Sequence, residues 1–460
     1  MKQLIITAAL ASTLSSCGIY KTYEPITTVP DSLYGETKGD SMVSVQETDS
    51  ANIALTHWRD FFTDARLQEL ISRALSQNTD LLSAKLRVDE AAATLKAAKL
   101  AFLPSFAIAP QAGVSSFNNA KATQTYSVPL TMSWEIDVFG RMRNAKKQSE
   151  ALYAKSQDYQ QAVQTQVVAY VASTYYSLST LREQLAISQQ TEQAWDETLK
   201  TARALMNVGR FDESSVNQME ASLHQVHTSV LTLQQQITET ENAMAILLGE
   251  TPRHYETGNV ADFSLPKELS VGVPLQLLSM RPDVRVAQRS VESAFYGVNQ
   301  AKSAFYPSLV LSGSVGWTNN AGALIVNPGR LLASALASLT APVFNRGQNM
   351  AQLKIAQAQQ EEAKLSFTQT LLNAGKEVND ALSGYQTANE KKTSLAAEVE
   401  ALQKALRHTT LLMEHGNNTY LEILTARQSL LSAQLSESAN NLALVQQSIN
   451  LYQALGGGTE

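Results

Sequence analysis

The chain states one eight-residue phrase twice, "AKLAFLPS" over Ala98 to Ser105 and "AKSAFYPS" over Ala301 to Ser308. The same offset of 203 pairs Asp80 with Asp283, Ala84 with Ala287, Val88 with Val291 and Ala91 with Ala294. Farther on, "DVFGRMRN" (Asp137 to Asn144) matches "PVFNRGQN" (Pro342 to Asn349) at an offset of 205, and Gly209 matches Gly416 at 207. So little drift marks a tandem duplication of a unit of about two hundred residues, not a short-period solenoid.

Both halves change their period in the same order. From Ala65 to Ala101, and again from Arg281 to Ala304, apolar residues recur at helical spacing with no internal proline; Pro282 sits where a first-turn proline is tolerated. Pro104 and Pro307 end these helices, because proline cannot donate to the helical ladder. Phe102 and Phe305, two residues earlier, suit either packing or a membrane interface. The spacing then switches to two. Tyr126, Val128, Leu130, Met132, Trp134 and Ile136 alternate with Ser127, Pro129, Thr131, Ser133, Glu135 and Asp137, predicting a strand with one apolar and one polar face. Leu309, Leu311, Gly313, Val315 and Trp317 repeat the pattern, while Leu331 to Ala341 follows it less cleanly. Two strands per half are expected, joined by loops at Gly113 to Thr125 and at Thr318 to Gly329.

Long helices follow. Arg141 to Val208 holds neither Gly nor Pro in 68 residues, which as one helix would run about 100 Å. Its counterpart, Gln348 to His415, carries Gly375 and Gly384, where a bend is expected. Past Gly209, apolar residues from Val216 through Met219, Leu223, Val226, Val230, Leu233 and Ile237 to Met244 and Leu247 step alternately by three and four, broken only at Thr240. That is a coiled-coil seam, so Gly209 marks the tip of an antiparallel helical hairpin. The second return helix, Thr419 to Leu455, is richer in Ser, Asn and Gln. Two placements fit it: the lining of a wide tube, or contact with bulk solvent.

The ends and the composition narrow the function. Lys2 and the apolar run Leu4 to Leu14 read as a secretory signal, too short to span a bilayer as a helix. The run ends in "LSSC", and Cys17 is the only cysteine in 460 residues, which excludes an intramolecular disulfide or a multi-cysteine metal site. "LSSC" resembles a bacterial lipobox, so a mature chain beginning at a lipidated Cys17 is expected. A net charge of −6 makes nucleic acid an unfit partner. His224 and His227, three apart on a helix, lack an evident third ligand and read as flank residues; no metal site and no cofactor beyond the Cys17 lipid is expected. No phosphate loop or nucleophile elbow is present, so an enzyme is not expected.

The strands carry a consequence for assembly. Strands of this length with one apolar face suit an outer-membrane bilayer, which needs roughly 9 to 11 residues per strand and a closed barrel. Four strands per chain cannot close, since barrels begin at about eight. The sheet must be shared among copies, unless it lies buried beneath the helices of a soluble protein.

The segments "WRDFFTDARLQELISRALSQNTDL", "LLSMRPDVRVAQRSVESA", "LTAPVFNRGQ" and "GNNTYLEILTARQSLLSAQ" resemble the outer membrane factor (TolC) family in its lipoprotein branch, from about Trp58 to Leu455. The resemblance implies an α+β membrane protein: a homotrimer whose twelve strands form one barrel in outer-membrane lipid, continued by an α-barrel, a periplasmic tunnel of packed coiled-coil helices. It implies the exit duct of a tripartite efflux system, fed through a periplasmic adaptor by an inner-membrane pump of RND type, which alone supplies the energy. The expected organisation is a signal peptide over 1–16, a lipidated segment and part of an equatorial belt over 17–64, a first repeat over 65–249, a linker over 250–275, a second repeat over 276–455 and a tail over 456–460. Adaptor hairpins would dock beside Gly209 and Gly416. The family's gate positions fall on Tyr420, Glu422, Asn417 and Asn418, with three copies of Glu422 facing one another around an axis. Thr425 stands where the family commonly has a second acid, which shifts the expected gate toward Tyr420, Glu422 and amide hydrogen bonds. Substrate and cognate adaptor are left open.

Overall fold

The computed structural model describes residues 20, 22–26, 56–116, 122–263, 281–318, 330–414 and 420–458. After α1 (Trp58–Phe61), the first repeat opens with α2 (Ala65–Gln77) and α3 (Thr79–Leu100), which precede β1 (Ser105–Ile108), β2 (Gln111–Ser115) and β3 (Thr123–Ile136). The helices α4 (Arg141–Asn207) and α5 (Glu213–Leu248) follow. The second repeat runs α6 (Pro282–Ser303), β4 (Ser308–Thr318), β5 (Arg330–Thr340), α7 (Gln348–Glu414) and α8 (Tyr420–Ala454).

Two boundaries differ from those the spacing predicts. The stretch from Ala65 to Ala101 is not one helix: it breaks at Asn78, whose Oδ1 accepts from the backbone N–H groups of Asp80 and Leu81 at 3.0 Å each. Asn78 is thus an N-cap, satisfying donors that a helix start leaves orphaned. The loop expected at Gly113 to Thr125 is shorter, because pairing continues through Gly113↔Thr125 to Ser115↔Thr123. β1 and β2 share one register against β3, from Ser105↔Ser133 to Ser115↔Thr123, and together act as a single interrupted strand. The interruption falls at Ala109 and Pro110, beside Pro129 of β3; proline has no N–H to give the ladder, and two prolines meet here. The helix ends expected at His415 and Thr419, and the loop at 319–329, lie outside the described residues.

The chain divides into two compact units. The first holds Met1–Thr28, Arg87–Gln157 and Val286–Gln369, and contains the antiparallel sheet in the order β1/β2, β3, β4, β5. β4 pairs with β3 from Leu309↔Ile136 to Thr318↔Ser127 and with β5 from Ser308↔Thr340 to Thr318↔Arg330. Close approach is built in at Gly316, where a Cβ would lie 2.3 Å from the Val128 carbonyl oxygen and 2.5 Å from the Pro129 Cα. At the foot of the sheet the Tyr20 hydroxyl donates to the Phe139 carbonyl at 2.7 Å; Tyr23 packs against Phe295 of α6, with ring centroids 5.6 Å apart.

The second unit holds Val29–Leu86, Asp158–Arg285 and Thr370–Glu460. Its core gathers Trp58, Phe61 and Phe62 of the α1 region, Leu67 and Ile71 of α2, Val171 and Leu178 of α4, Met244 and Leu248 of α5, and Ile449 and Tyr452 of α8. Burial of each such large apolar side chain stabilises the unit by roughly 1.5–3 kcal/mol. Polar groups within it are paired. The Tyr175 hydroxyl donates to Asp64 Oδ2 at 2.5 Å and accepts from the Gly258 N–H at 2.6 Å; burial, reinforced by the Asp64 bond, holds this phenol well above its ordinary range, so it stays a donor. The buried Arg281 donates to Asp283, to Glu377 and to the Ala454 carbonyl, an arrangement that gives a desolvated guanidinium both charge partners and a backbone acceptor. Gly384 of α7 has a packing role, since a Cβ there would meet the Gln447 side chain of α8 at 2.7 Å.

Candidate functional site

The faces of the sheet come first, because they decide what the chain can border. Register places Trp134 opposite Leu311, Leu130 opposite Val315 and Val128 opposite Trp317, so the apolar side chains of β3 and β4 share one face. Phe106 and Ile108 of β1 join it through Met132 and Leu130, and Leu331 and Leu339 of β5 join it through Trp317 and Leu309. This face is uncovered: Phe106, Ile108, Val128, Leu130, Trp317, Leu331 and Leu339 are all exposed. From Tyr126 to Trp134 the band runs about 27 Å along the strand, close to the roughly 25 Å apolar belt of outer-membrane barrels, with an aromatic residue at each end.

The other face is polar over most of β3 and β4. Ser127, Thr131 and Ser133 of β3 lie there with Ser312 and Ser314 of β4, and Ser314 bonds Ser334 of β5, oxygen to oxygen, at 2.7 Å. β5 puts large exposed apolar side chains on this side as well, Leu332 opposite Gly316 and Leu336 opposite Ser312. That double placement is why its alternation is blurred in the sequence. Among the described residues no helix is long and apolar enough to cross a membrane.

The junctions between helix and sheet carry the repeated phrase. Pro104 and Pro307 stand immediately before β1 and β4. The Phe102 carbonyl accepts from the Trp134 indole N–H at 2.9 Å, and the Phe102 ring is half-buried, whereas Phe305 is exposed.

At the first hairpin tip Gly209 has φ +74°, its N–H reaches the Met206 carbonyl at 2.9 Å, and the Arg210 N–H reaches back to the Leu205 carbonyl at 2.9 Å. That is a Schellman ending, and a glycine takes the left-handed position at least cost. α5 restarts on Asp212, whose carboxylate accepts from the Ser215 N–H at 2.8 Å and the Ser215 hydroxyl at 2.7 Å. These bonds hold the Asp212 carboxyl below its ordinary range. An open recess of about 630 Å³ lies here, lined by Gly209, Phe211, Asp212, Ser215 and Gln218 and closed on one side by Leu421 of α8.

α8 is attached to this hairpin. Leu424 and Leu431 pack on a cluster of Trp195, Leu199, Val216, Met219 and Val226, and the Arg427 guanidinium lies 5.4 Å from the centre of the buried Trp195 ring. Ile423 is buried, so Glu422 beside it is turned outward and exposed in the first turn of the helix. Spacing does not single out Trp195 or Arg427. The available signal is the lone aromatic residue in "SQQTEQAWDETLK". His227 bonds Glu192 of α4 at 2.6 Å across the hairpin, and His224 lies beside it; among the described residues no group of three or more His, Cys, Asp or Glu could hold a metal. Cys17, Gly416, Asn417, Asn418 and the Tyr420 side chain lie outside the described residues.

Comparison with known proteins agrees with these surfaces. The pattern of the family described as "Outer membrane efflux protein" matches residues 70–250 and again 273–457, one match for each repeat. The cation efflux system protein CusC of Escherichia coli is 29% identical over 406 residues, covering 87% of this chain and 88% of that protein. The toluene efflux pump outer membrane protein TtgC of Pseudomonas putida is 28% identical over 435 residues, covering 89% of this chain and 87% of that one. A crystal structure of CusC, determined in a study of transmembrane channel formation, superposes with a TM-score of 0.84 at 26% identity, covering 96% of this chain and 100% of that one. The chain belongs to the outer membrane efflux protein family, and its work is that of an outer-membrane exit duct.

Proposed function

We propose that three copies of the chain assemble into one duct, each giving four strands, with β1 and β2 counted as one, to a twelve-stranded barrel. The observation that carries this reading is the two-faced sheet with free edges at β1/β2 and β5. Backbone groups on an open edge have no partner in lipid, so such a sheet needs neighbours to close it. The exposed apolar face meets lipid, and the Ser and Thr face lines the water path.

The duct supplies passage rather than chemistry or energy. An inner-membrane pump of RND type loads it, and a periplasmic adaptor docks at the hairpin tips, beside Gly209 with its neighbouring recess and beside Gly416. Closure falls to the start of α8: three copies of Glu422, with Tyr420, Asn417 and Asn418, surround the axis. Acidic side chains brought together there attract cations, which couples the gate to ion selectivity. A lipid on Cys17 supplies a second hold on the membrane. Among the relatives, CusC is named for cation efflux and TtgC for toluene efflux, so the cargo follows the pump that feeds the duct.

The test is electrical. Purified mature protein added to a planar bilayer should insert as discrete, uniform conductance steps. A bilayer that stays silent at every protein concentration would overturn the reading.

A further inference from the structure

The duplication relates two pairs of residues at the foot of the sheet. Phe139 corresponds to Phe344 at an offset of 205, and Leu103 corresponds to Tyr306 at an offset of 203. Within the chain, Phe139 at the foot of β3 stacks on Tyr306 at the foot of the adjacent β4, with ring centroids 5.3 Å apart and planes 18° from parallel. The other two members of this double pair stand at the feet of the two edge strands. Phe344, beyond the end of β5, is 86% exposed, and Leu103, just before β1, is 61% exposed.

We infer that Phe344 of one copy seats on Leu103 of the next, as the intermolecular equivalent of the Phe139–Tyr306 contact. This rests on the trimeric reading above and adds to it a register. Neighbouring strands in the sheet are all antiparallel, so β1 and β4 run one way and β3 and β5 the other. β5 of one copy therefore meets β1 of the next in the sense in which β3 meets β4. Carried across the two offsets, the Trp134↔Leu311 pair becomes Leu339 opposite Ile108. The same offsets carry Ser105↔Ser133 to Ser308↔Ser338, whereas Ser308 pairs with Thr340, so they preserve the face and bring the register to within two residues. Both side chains lie on the apolar face of the sheet, and both are exposed in the single chain. The match of faces is a requirement that a slip by one residue would violate, since it would turn every side chain to the opposite side. Lipid alone would also cover Phe344; what favours a second copy is that both halves of the duplicated contact are exposed, one on each edge.

Cysteine cross-linking tests it in the full-length protein. In F344C/L103C, mild oxidation should shift the monomer band into covalent dimers and trimers on non-reducing gels, with no shift in either single variant. F139C/Y306C, its counterpart inside one chain, should give no intermolecular band. A second pair, L339C/I108C, reads the strand register itself, since facing residues on paired strands lie within disulfide reach. A trimer intact by solution mass that yields no covalent ladder from either pair overturns the inference and leaves the trimeric reading standing. A monomeric mass for the unmodified protein overturns both.

Discussion

The hydroxyl of Tyr452 donates to the backbone carbonyl of Thr56 at 2.8 Å, joining the end of α8 to the entry of α1 across 396 positions of sequence. The same ring stacks on Phe61, centroids 4.2 Å apart, and Gly457 folds over it so closely that a Cβ would lie 2.4 Å from a ring carbon. Tyr452→Phe removes the bond to Thr56 and the hydroxyl's contact with the Gly458 N–H, and should cost roughly 1–3 kcal/mol. Tyr452→Ala empties the site and should cost roughly 3–5 kcal/mol. Gly457→Ala should lower the helical melting temperature by more than Tyr452→Phe does; equal melting of wild type and Gly457→Ala would refute the packing described.

Gly316 and Gly313 lie three residues apart on β4 and should behave oppositely. A Cβ at Gly316 would collide with the backbone of Val128 and Pro129, while at Gly313 the nearest atom is the Ser334 carbonyl oxygen at 3.6 Å. Gly316→Ala should therefore lower the temperature at which the assembled sheet dissociates on heated gels, and Gly313→Ala should leave it near wild type. Indistinguishable dissociation temperatures would contradict the close approach.

The period-two alternation over Tyr126 to Ile136 and the 68-residue run without Gly or Pro that forms α4 are both legible in the sequence, because each extends far enough to dominate local noise. Gly209 is readable as a tip because a helical run stops there and a seam begins. Less visible is the break at Asn78, where a side chain rather than a proline ends the helix, and the second stretch of the first strand, whose Gly113 and Ser115 give weak contrast between faces. Pro129 is a central-strand residue tolerated because the ladder is interrupted on its β1/β2 side, where its carbonyl accepts from Ala109 and an N–H would be wanted in return. The attachment of α8 through Arg427 and Trp195 depends on which helices meet, and periodicity says nothing about that.

Glu250 gives the fold a pH signature. Its burial alone would raise the carboxyl, but the Tyr255 hydroxyl at 2.9 Å and the guanidiniums of Arg73 and Arg253 outweigh burial and hold it below its ordinary value. A carboxyl depressed in the folded state contributes stability above its unfolded pKa of about 4.3, and loses it as pH falls through the folded value. Wild type should melt above Glu250→Gln at pH 7, and the gap should close progressively in acid below about pH 4. A gap that persists unchanged to the lowest pH measured would remove the carboxylate from the explanation.

Glu422→Ala should raise the open fraction of single channels and reduce their cation preference, because the proposed gate ring loses its charge. In cells the same change should admit bulky antibiotics that wild type excludes. Unaltered conductance, selectivity and antibiotic sensitivity together would remove Glu422 from the gate.

Cys17→Ala should abolish incorporation of labelled palmitate into the exported protein. Retained label would place the lipid elsewhere.

Electron microscopy of the detergent-solubilised mature protein, paired with its mass in solution, bears on the shared barrel most directly. Three copies around one axis, enclosing a hollow stalk with a sheet-built end, is the expected particle. A compact monomer with a covered sheet would contradict the duct.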